Sequence, residues 1–268
     1  MHATAQVEKG RAFQALHEGD PFVIPNPWDA GSARMFQALG FSALATTSSG
    51  FAFTLGRLDG GATLDDVAAS TTALAAATEL PVSVDLENGY GAEPAAAAEA
   101  IRRVAEAGAV GGSIEDWERN GGLYDRDHAA ERVVAAAEVA RSLEFPFVLT
   151  ARAENHIRDN PDLDDTIARL QAYEAAGADV LYAPGLATVE EIRAVSSSVS
   201  KPVNVLARPN LTFAQIVEGG AQRVSVGGAL TWVAVNAAAR AAEAIRDDGD
   251  FSVLGAAPPL ADWFGEGV

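Results

Sequence analysis

Residues 81–91 read PVSVDLENGYG. Val82, Val84 and Leu86 alternate with Ser83 and Asp85, the period of a half-buried strand, and Gly89-Tyr90-Gly91 closes it with a turn. Before it, Thr63 is placed to cap a helix over Leu64–Thr78, whose first turn carries Asp65 and Asp66, where acids suit the helix dipole. After it, an Ala-rich helix is predicted over Glu93–Ala107 and stops at Gly108. The stretch is thus a strand between two helices, and the same unit recurs on both sides of it.

Strands are predicted at Phe22–Ile24, Ser42–Thr46, Pro81–Leu86, Val110–Glu115, Phe145–Ala151, Asp179–Tyr182, Pro202–Leu206 and Arg223–Val226. Further helices are predicted over 5–18, Ala30–Leu39 behind Asp29, His128–Leu143, Asp162–Ala176, Thr188–Ser197, a short one from Thr212 to Glu218, and Ala229–Arg246. Thr47–Gly61 and Asp116–Asp127 read as long loops. Eight alternating units imply an α/β fold with a parallel sheet closed into one (β/α)8 TIM-type barrel, and 268 residues suit the usual size of about 250. The alternative is an open, doubly wound sheet, but the first strand lacks the GxGxxG turn of its dinucleotide-binding form. No composition shift divides residues 1–268, so one domain is expected, with 247–268 as a tail carrying Pro258-Pro259 and Trp263-Phe264.

Composition removes several chemistries. With no Cys there is no disulfide, thiolate zinc site or cysteine nucleophile. The four histidines, His2, His17, His128 and His156, form no HxxxH or HxH pair. A net charge of −18 without a basic cluster argues against nucleic-acid partners and anionic membranes. No apolar run reaches the roughly 18 residues of a membrane span, and MHATAQVEKG has no apolar signal region, so a cytoplasmic protein is expected.

Strand alternation puts Asp85 and Glu87 on one face. Two like charges there are costly unless a cation lies between them, and a hard divalent ion takes such oxygen ligands. The other reading is a solvated strand end with two unrelated acids. In a barrel, chemistry gathers at the carboxyl ends of strands. There the sequence places Ser48, Ser49, Gly50 and Asp59, then Asp85 and Glu87, then Glu115, Asp116 and Asn120, then Arg152, and later Asn204. Asp59, Asp85, Glu87 and Glu115 around one mouth, with Arg152 opposite, are the inventory for a divalent metal and a small anionic substrate. Taken singly, Asp59 is a loop acid, Ser49 a turn residue and Arg152 a surface ion pair; their co-location favours the joint reading. Trp28 reads as packing, and Gly227-Gly228 as close strand–helix contact.

The segments PNPWDAGSAR (25–34), SSGF (48–51) with GRLDG (56–60), VDLENGYG (84–91), GGSIED (111–116), TARAEN (150–155), GADVLYAPG (177–185), KPVNV (201–205) and RVSVGGAL (223–230) together resemble the isocitrate lyase/phosphoenolpyruvate mutase superfamily over nearly the whole chain. The resemblance implies a barrel that binds Mg²⁺ or Mn²⁺ and makes or breaks C–C or P–C bonds in small 2-oxo or 2-hydroxy acids through a metal-bound enolate. It makes Asp85 the metal ligand, direct or through water, with Glu87 and Glu115 holding metal-bound waters. It gives Arg152 the substrate carboxylate or departing group, places Asp59 and Asn120 near the reacting centre, makes Ser49, Gly50 and Phe51 a carboxylate cradle, and makes Asn204 a substrate contact. It also implies a homodimer or homotetramer with an end helix swapped between subunits, a role open to the tail.

The departures bear on the reaction. The second carboxylate of the family motif is commonly Asp, but here it is Glu87. The lyases carry Lys-Lys-Cys-Gly-His in the loop after the fourth strand, which here reads DWERNGGLY (116–124). Asn120 matches the Asn of the mutase loop, while Arg119 and Gly121-Gly122 do not complete that motif. Decarboxylation of an oxaloacetate-type acid needs no strong loop acid and is the expected reaction. Cleavage of a substituted malate or methylisocitrate, and P–C chemistry on phosphonopyruvate, are the alternatives. A catalytically silent barrel binding a metal–oxo-acid complex is the alternative of another class.

Overall fold

The computed structural model describes residues 2–158 and 160–265, so Met1, Asp159 and the last three residues of the predicted tail lie outside the described residues. Eight parallel strands form the centre: β1 Phe22–Ile24, β2 Leu44–Ala45, β3 Val82–Asp85, β4 Gly111–Glu115, β5 Val148–Arg152, β6 Val180–Tyr182, β7 Val203–Leu206 and β8 Arg223–Ser225. They neighbour one another in the order β1-β8-β7-β6-β5-β4-β3-β2. The two end strands also meet: the Ala45 amide donates to the Pro25 carbonyl at 3.1 Å, and Asn26 Nδ2 donates to the Thr46 carbonyl at 3.1 Å. The result is a nearly closed barrel, as the alternating pattern implies.

The helices that follow β1 to β8 are α2 Ala30–Ala38, α3 Ser48–Thr54 with α4 Leu64–Ala77, α5 Pro94–Glu106, α6 Arg126–Ser142, α7 Leu163–Ala175, α8 Val189–Ser197, α9 Phe213–Glu218 and α10 Ala229–Asp248. Their starts are legible in chemistry. Asp29, Thr63 and Thr212 accept from the amides of Ser32, Asp66 and Gln215, the N-terminal caps expected of them. Outward strand residues such as Val82, Val84, Ile114, Val203 and Val224 pack into the apolar layer beneath the helices. The N-terminal helix α1, His2–Leu16, covers the bottom of the barrel, where Phe13 packs with Ile24, Ala43, Val110, Val148 and Val180. Gly10 makes this possible, since a Cβ there would stand 2.4 Å from the Pro146 carbonyl oxygen. Gly10→Ala is expected to lift α1 and destabilise the protein by about 1–3 kcal/mol, read as a fall in urea midpoint at unchanged m-value.

Four expectations are corrected. Thr47–Gly61 is not all loop: the Thr47 side chain accepts from the Gly50 amide and starts α3. Asp116–Asp127 holds a small hairpin that pairs Trp117–Glu118 with Gly122–Leu123. The fifth strand begins at Val148, beyond Pro146, which has no N–H for the ladder, and it runs on to Arg152. The third strand stops at Asp85, so Asp85 and Glu87 do not share a pleat face. Glu87 is left-handed, with φ 49°, and the turn rather than the strand sets its direction.

The last short helix, α11 Leu260–Phe264, lies on α2 of the same chain, with the Arg34 guanidinium 5.6 Å from the Phe264 ring centre. Among the described residues no helix is long and apolar enough to cross a membrane.

Candidate active site

The turn after β3 is built tightly. Glu87 and Tyr90 have φ of 49° and 62°, a region that residues with a Cβ adopt rarely. Gly89, at φ 75°, lies so close to α5 that a Cβ would stand 2.9 Å from Ala97 Cα. The Glu115 amide donates to the Glu87 carbonyl at 2.8 Å, tying the turn to the end of β4. From α6, the buried Arg132 donates to the carbonyls of Asn88, Gly91 and Ala92. These contacts fix a strained turn whose side chains face the mouth.

Asp85 is held by three hydrogen bonds. Its Oδ2 accepts from the Ser48 amide at 3.2 Å, its Oδ1 from the Glu87 amide at 3.3 Å, and its own amide donates to Thr46 Oγ1 at 2.9 Å. Beside it, four charged side chains alternate in sign around a ring. Arg152 Nε donates to Glu154, Glu154 Oε2 stands 3.0 Å from Arg158 Nη2, Arg158 stands 3.8 Å from Glu115, and Glu115 stands 3.5 Å from Arg152 Nη1. Arg152 also lies 3.7 Å from Asp85 and 5.2 Å from the Tyr182 ring centre. Glu154 has no exposed surface, so the ring relieves charges that would otherwise be very costly to bury.

The electrostatics follow. Burial pushes the Glu87 carboxyl up to about 7, and the neighbouring Asp85 and Asp59 add to the shift. Burial raises Glu115 well above the usual carboxylate range, opposed by Arg152. Burial works against the charge of Arg152, but Glu154 and Glu115 outweigh it and hold the guanidinium charged. In metal-free protein the fold therefore prefers Glu87 neutral. Its contribution to stability is full below the unfolded value of 4.5 and is lost as pH rises through about 7. Glu87→Gln, neutral at every pH, is expected to exceed the wild type by about 1–3 kcal/mol at pH 8 and to match it near pH 4.5. Urea melts in a chelating buffer check this.

The mouth is a cavity of about 330 Å³ whose lining includes Ser48, Asp59, Glu87, Glu115, Asn120 and Arg152. Five of the sequence-predicted residues thus meet in one space. Asp85 lines a second cavity, which shares Arg152 with the mouth. Ser49, Gly50 and Phe51 lie elsewhere. Ser49 Oγ faces Thr47 Oγ1 at 3.2 Å, Gly50 is buried against Thr231 and Trp28, and Phe51 packs on the apolar layer. Ser48 is the residue of this run that reaches the mouth. Asn204 is buried in the barrel, its amide spent on Arg223 and Ser225 at 2.8 and 3.0 Å. Gly228 is packed closely, since a Cβ there would meet Ser49 Oγ at 2.6 Å.

The sequence reading missed Arg158, Trp117 and Arg132. Arg158 stacks 3.6 Å over the Trp117 ring, and the Arg119 guanidinium donates to the Asp59 carbonyl, so the hairpin lies across the mouth. The signal for Arg158 was present: Glu154 and Arg158 are four residues apart, a spacing that brings charges together on a helical turn.

Among the described residues no three His, Cys, Asp or Glu side chains stand close enough to clasp a metal directly. The donors here are one well-oriented carboxylate, Asp85, with Glu87 and Glu115 set back. That set fits Mg²⁺, which keeps several waters and takes one or two carboxylates, and does not fit a dehydrated zinc cage.

Comparison with known proteins finds relatives over most of the chain. The family model of phosphoenolpyruvate phosphomutase matches residues 13–246. A solved structure from Burkholderia cenocepacia J2315, assigned as a lyase/mutase, is 49% identical, covers 98% of this chain and 97% of that one, and superimposes with a TM-score of 0.94. The 2-methylisocitrate lyase of Halalkalibacterium halodurans is 30% identical, over 91% of this chain and 84% of its own. An oxaloacetate decarboxylase of Rhodopseudomonas palustris is also 30% identical, over 88% and 84%.

Proposed function

Since the chain belongs to the phosphoenolpyruvate phosphomutase family, we propose that it is a Mg²⁺-dependent lyase of a small 2-oxo dicarboxylic acid, and specifically a decarboxylase of oxaloacetate type. The observation that carries this reading is the lining of the mouth. Among the described residues it offers acids, arginines, Asn120 and Tyr90, but no Lys, His or Cys. The hairpin across the mouth carries Glu118, Arg119 and Asn120, so a reaction that relies on the Lys, Cys or His of the lyase loop finds no counterpart there. Loss of CO₂ requires no such residue: the C3–C4 bond breaks, its electron pair moves into the C2–C3 enolate of pyruvate, and water supplies the proton at C3.

Asp85, Glu87 and Glu115 would hold the ion, directly or through its waters. When bound, it supplies Lewis-acid polarisation of the 2-oxo group. Arg152 pairs with the departing carboxylate, fixed in place by Glu154. Arg158, braced on Trp117, adds a second positive charge at the same mouth and favours a substrate with two anionic ends. Asp59, brought over by the Arg119 contact, and Asn120 border the reacting carbon and help keep bulk water out.

The test is a panel of oxaloacetate, phosphonopyruvate, methylisocitrate and alkylmalates with Mg²⁺, coupled to lactate dehydrogenase to detect pyruvate, with each substrate's other product followed directly. Turnover of oxaloacetate above the rest supports the reading. Preference for a malate or a phosphonate moves the assignment to C–C or P–C cleavage. Oxalate that binds only with Mg²⁺, without turnover of any substrate, identifies a silent barrel. As for partners, α10 and the tail expose Trp232, Val233, Phe251, Leu254 and Leu260, a surface suited to a second copy of the chain. A dimer or tetramer by light scattering supports that assembly, and a monomer removes it.

A further inference from the structure

The middle of the barrel holds a buried cation that, among the described residues, forms no ion pair. Arg223 opens β8 with its side chain inside, only 4% exposed. Its Nε donates to Asn204 Oδ1 at 2.8 Å, and Nη2 donates to Thr150 Oγ1 at 3.1 Å across the barrel. Nη1 stands 3.2 Å from His17 Nε2. His17 Nδ1 lies 2.8 Å from the Phe13 carbonyl, which can only accept, so Nδ1 carries the proton and Nε2 accepts from Arg223. Burial and the Arg223 charge keep that imidazole neutral, its pKa down at about 3. All three partners are therefore neutral, and among the described residues Arg223 forms no ion pair. A guanidinium has five N–H donors, so two remain, one on each Nη. Burial lowers its pKa only to about 10, which leaves it charged at neutral pH.

The barrel leaves room beside that charge. Interiors of such barrels are normally filled by bulky branched side chains. Here inward positions carry Ala45, Ser83, Ser113 and Ser225, which with Arg223 line a cavity of about 60 Å³, space for one or two water-sized ligands. The hydroxyls are donors as well as acceptors. Asp85 and Arg152 line the same cavity on the side of the mouth, and both Asp85 oxygens are engaged by the amides of Ser48 and Glu87.

We propose that the barrel core is a binding site for one small monoanion, of halide to formate size, seated on Arg223 beneath the catalytic mouth. A single charge matches the single unpaired guanidinium. A phosphate dianion would be too large for the cavity and too strongly repelled by Asp85. The site is independent of which bond the mouth breaks.

Two experiments on the full chain decide it. Crystals soaked in bromide are expected to show an anomalous peak within about 3.5 Å of the Arg223 guanidinium, hydrogen-bonding range for so large an ion. Replacing gluconate by bromide at constant ionic strength is expected to raise the melting temperature by about 2–4 °C, growing with the logarithm of concentration. Arg223→Gln should lose both responses. Formate that displaces the bromide peak and gives the larger shift identifies a one-carbon carboxylate as the occupant; formate that does neither identifies a halide. A wild-type chamber without an anomalous peak overturns the proposal, as does an equal bromide shift in Arg223→Gln. Should that variant fail to fold, the wild-type crystals still decide.

Discussion

Arg152→Met is expected to lower kcat/KM for oxaloacetate by about 10²–10³-fold and to destabilise the protein by about 3–5 kcal/mol. The two losses have separate causes. The catalytic one follows from the proposed pairing of Arg152 with the departing carboxylate, an interaction that positions charge in a water-poor cavity. The structural one follows from the ring of alternating charges. Removing Arg152 leaves the buried pair Glu154 and Glu115 to share one cation, Arg158, which stands 3.0 Å from Glu154 and 3.8 Å from Glu115, so one negative charge is uncompensated. A second variant separates them. Arg152→Met with Glu154→Gln removes the uncompensated negative charge as well and should recover much of the stability while turnover stays low, because a buried pair replaced as a pair is far less harmful than one left broken. Urea melts and the coupled pyruvate assay read the two effects. Turnover of Arg152→Met within a few-fold of wild type would remove Arg152 from the substrate's path.

The barrel was legible because its information is local. Most βα units announce themselves by strand alternation together with a capping Asp or Thr, as at Asp29, Thr63, Asp162, Thr188 and Thr212, or a terminal Gly, as at Gly108 and Gly177, and those rules act over a few residues. Asp85 was legible for the same reason, as the last residue of a regular strand. Glu87 was harder: its direction depends on a left-handed turn wedged against Ala97, a contact between elements that no period records. α3 was hidden by serines and glycine that read as loop, although Thr47 stood ready as its cap. Asn204 shows the opposite failure. Its place at a strand end suggested substrate, but the polar barrel interior occupies its amide with Arg223 and Ser225. A buried Arg cannot be foreseen from a strand pattern, because its partners come from β5, β7 and the end of α1.

Asp85→Asn is expected to abolish turnover, by about 10³-fold or more, while leaving the fold intact. The two shapes are nearly identical, and the amide oxygen can still accept from Ser48 or Glu87, so at most one of the hydrogen bonds at 3.2 and 3.3 Å is lost. Arg152 gives up a partner at 3.7 Å but keeps Glu154 and Glu115. One like charge leaves the mouth, so the Glu87 carboxyl falls below about 7 and metal-free stability changes by no more than about 1 kcal/mol, in the favourable direction. What disappears is the anionic group proposed as the metal's ligand, and several kcal/mol of Lewis-acid assistance with it. The discriminating measurement is the Mg²⁺-dependent rise in melting temperature. At 100-fold excess over its dissociation constant the ion should stabilise wild type by about 2.7 kcal/mol. Asp85→Asn should lose that rise. Arg152→Met should keep it and lose only the further rise on adding oxalate. An Asp85→Asn protein that still responds to Mg²⁺ would shift the metal to Glu87 and Glu115 and take from the PVSVDLENGYG strand its central role.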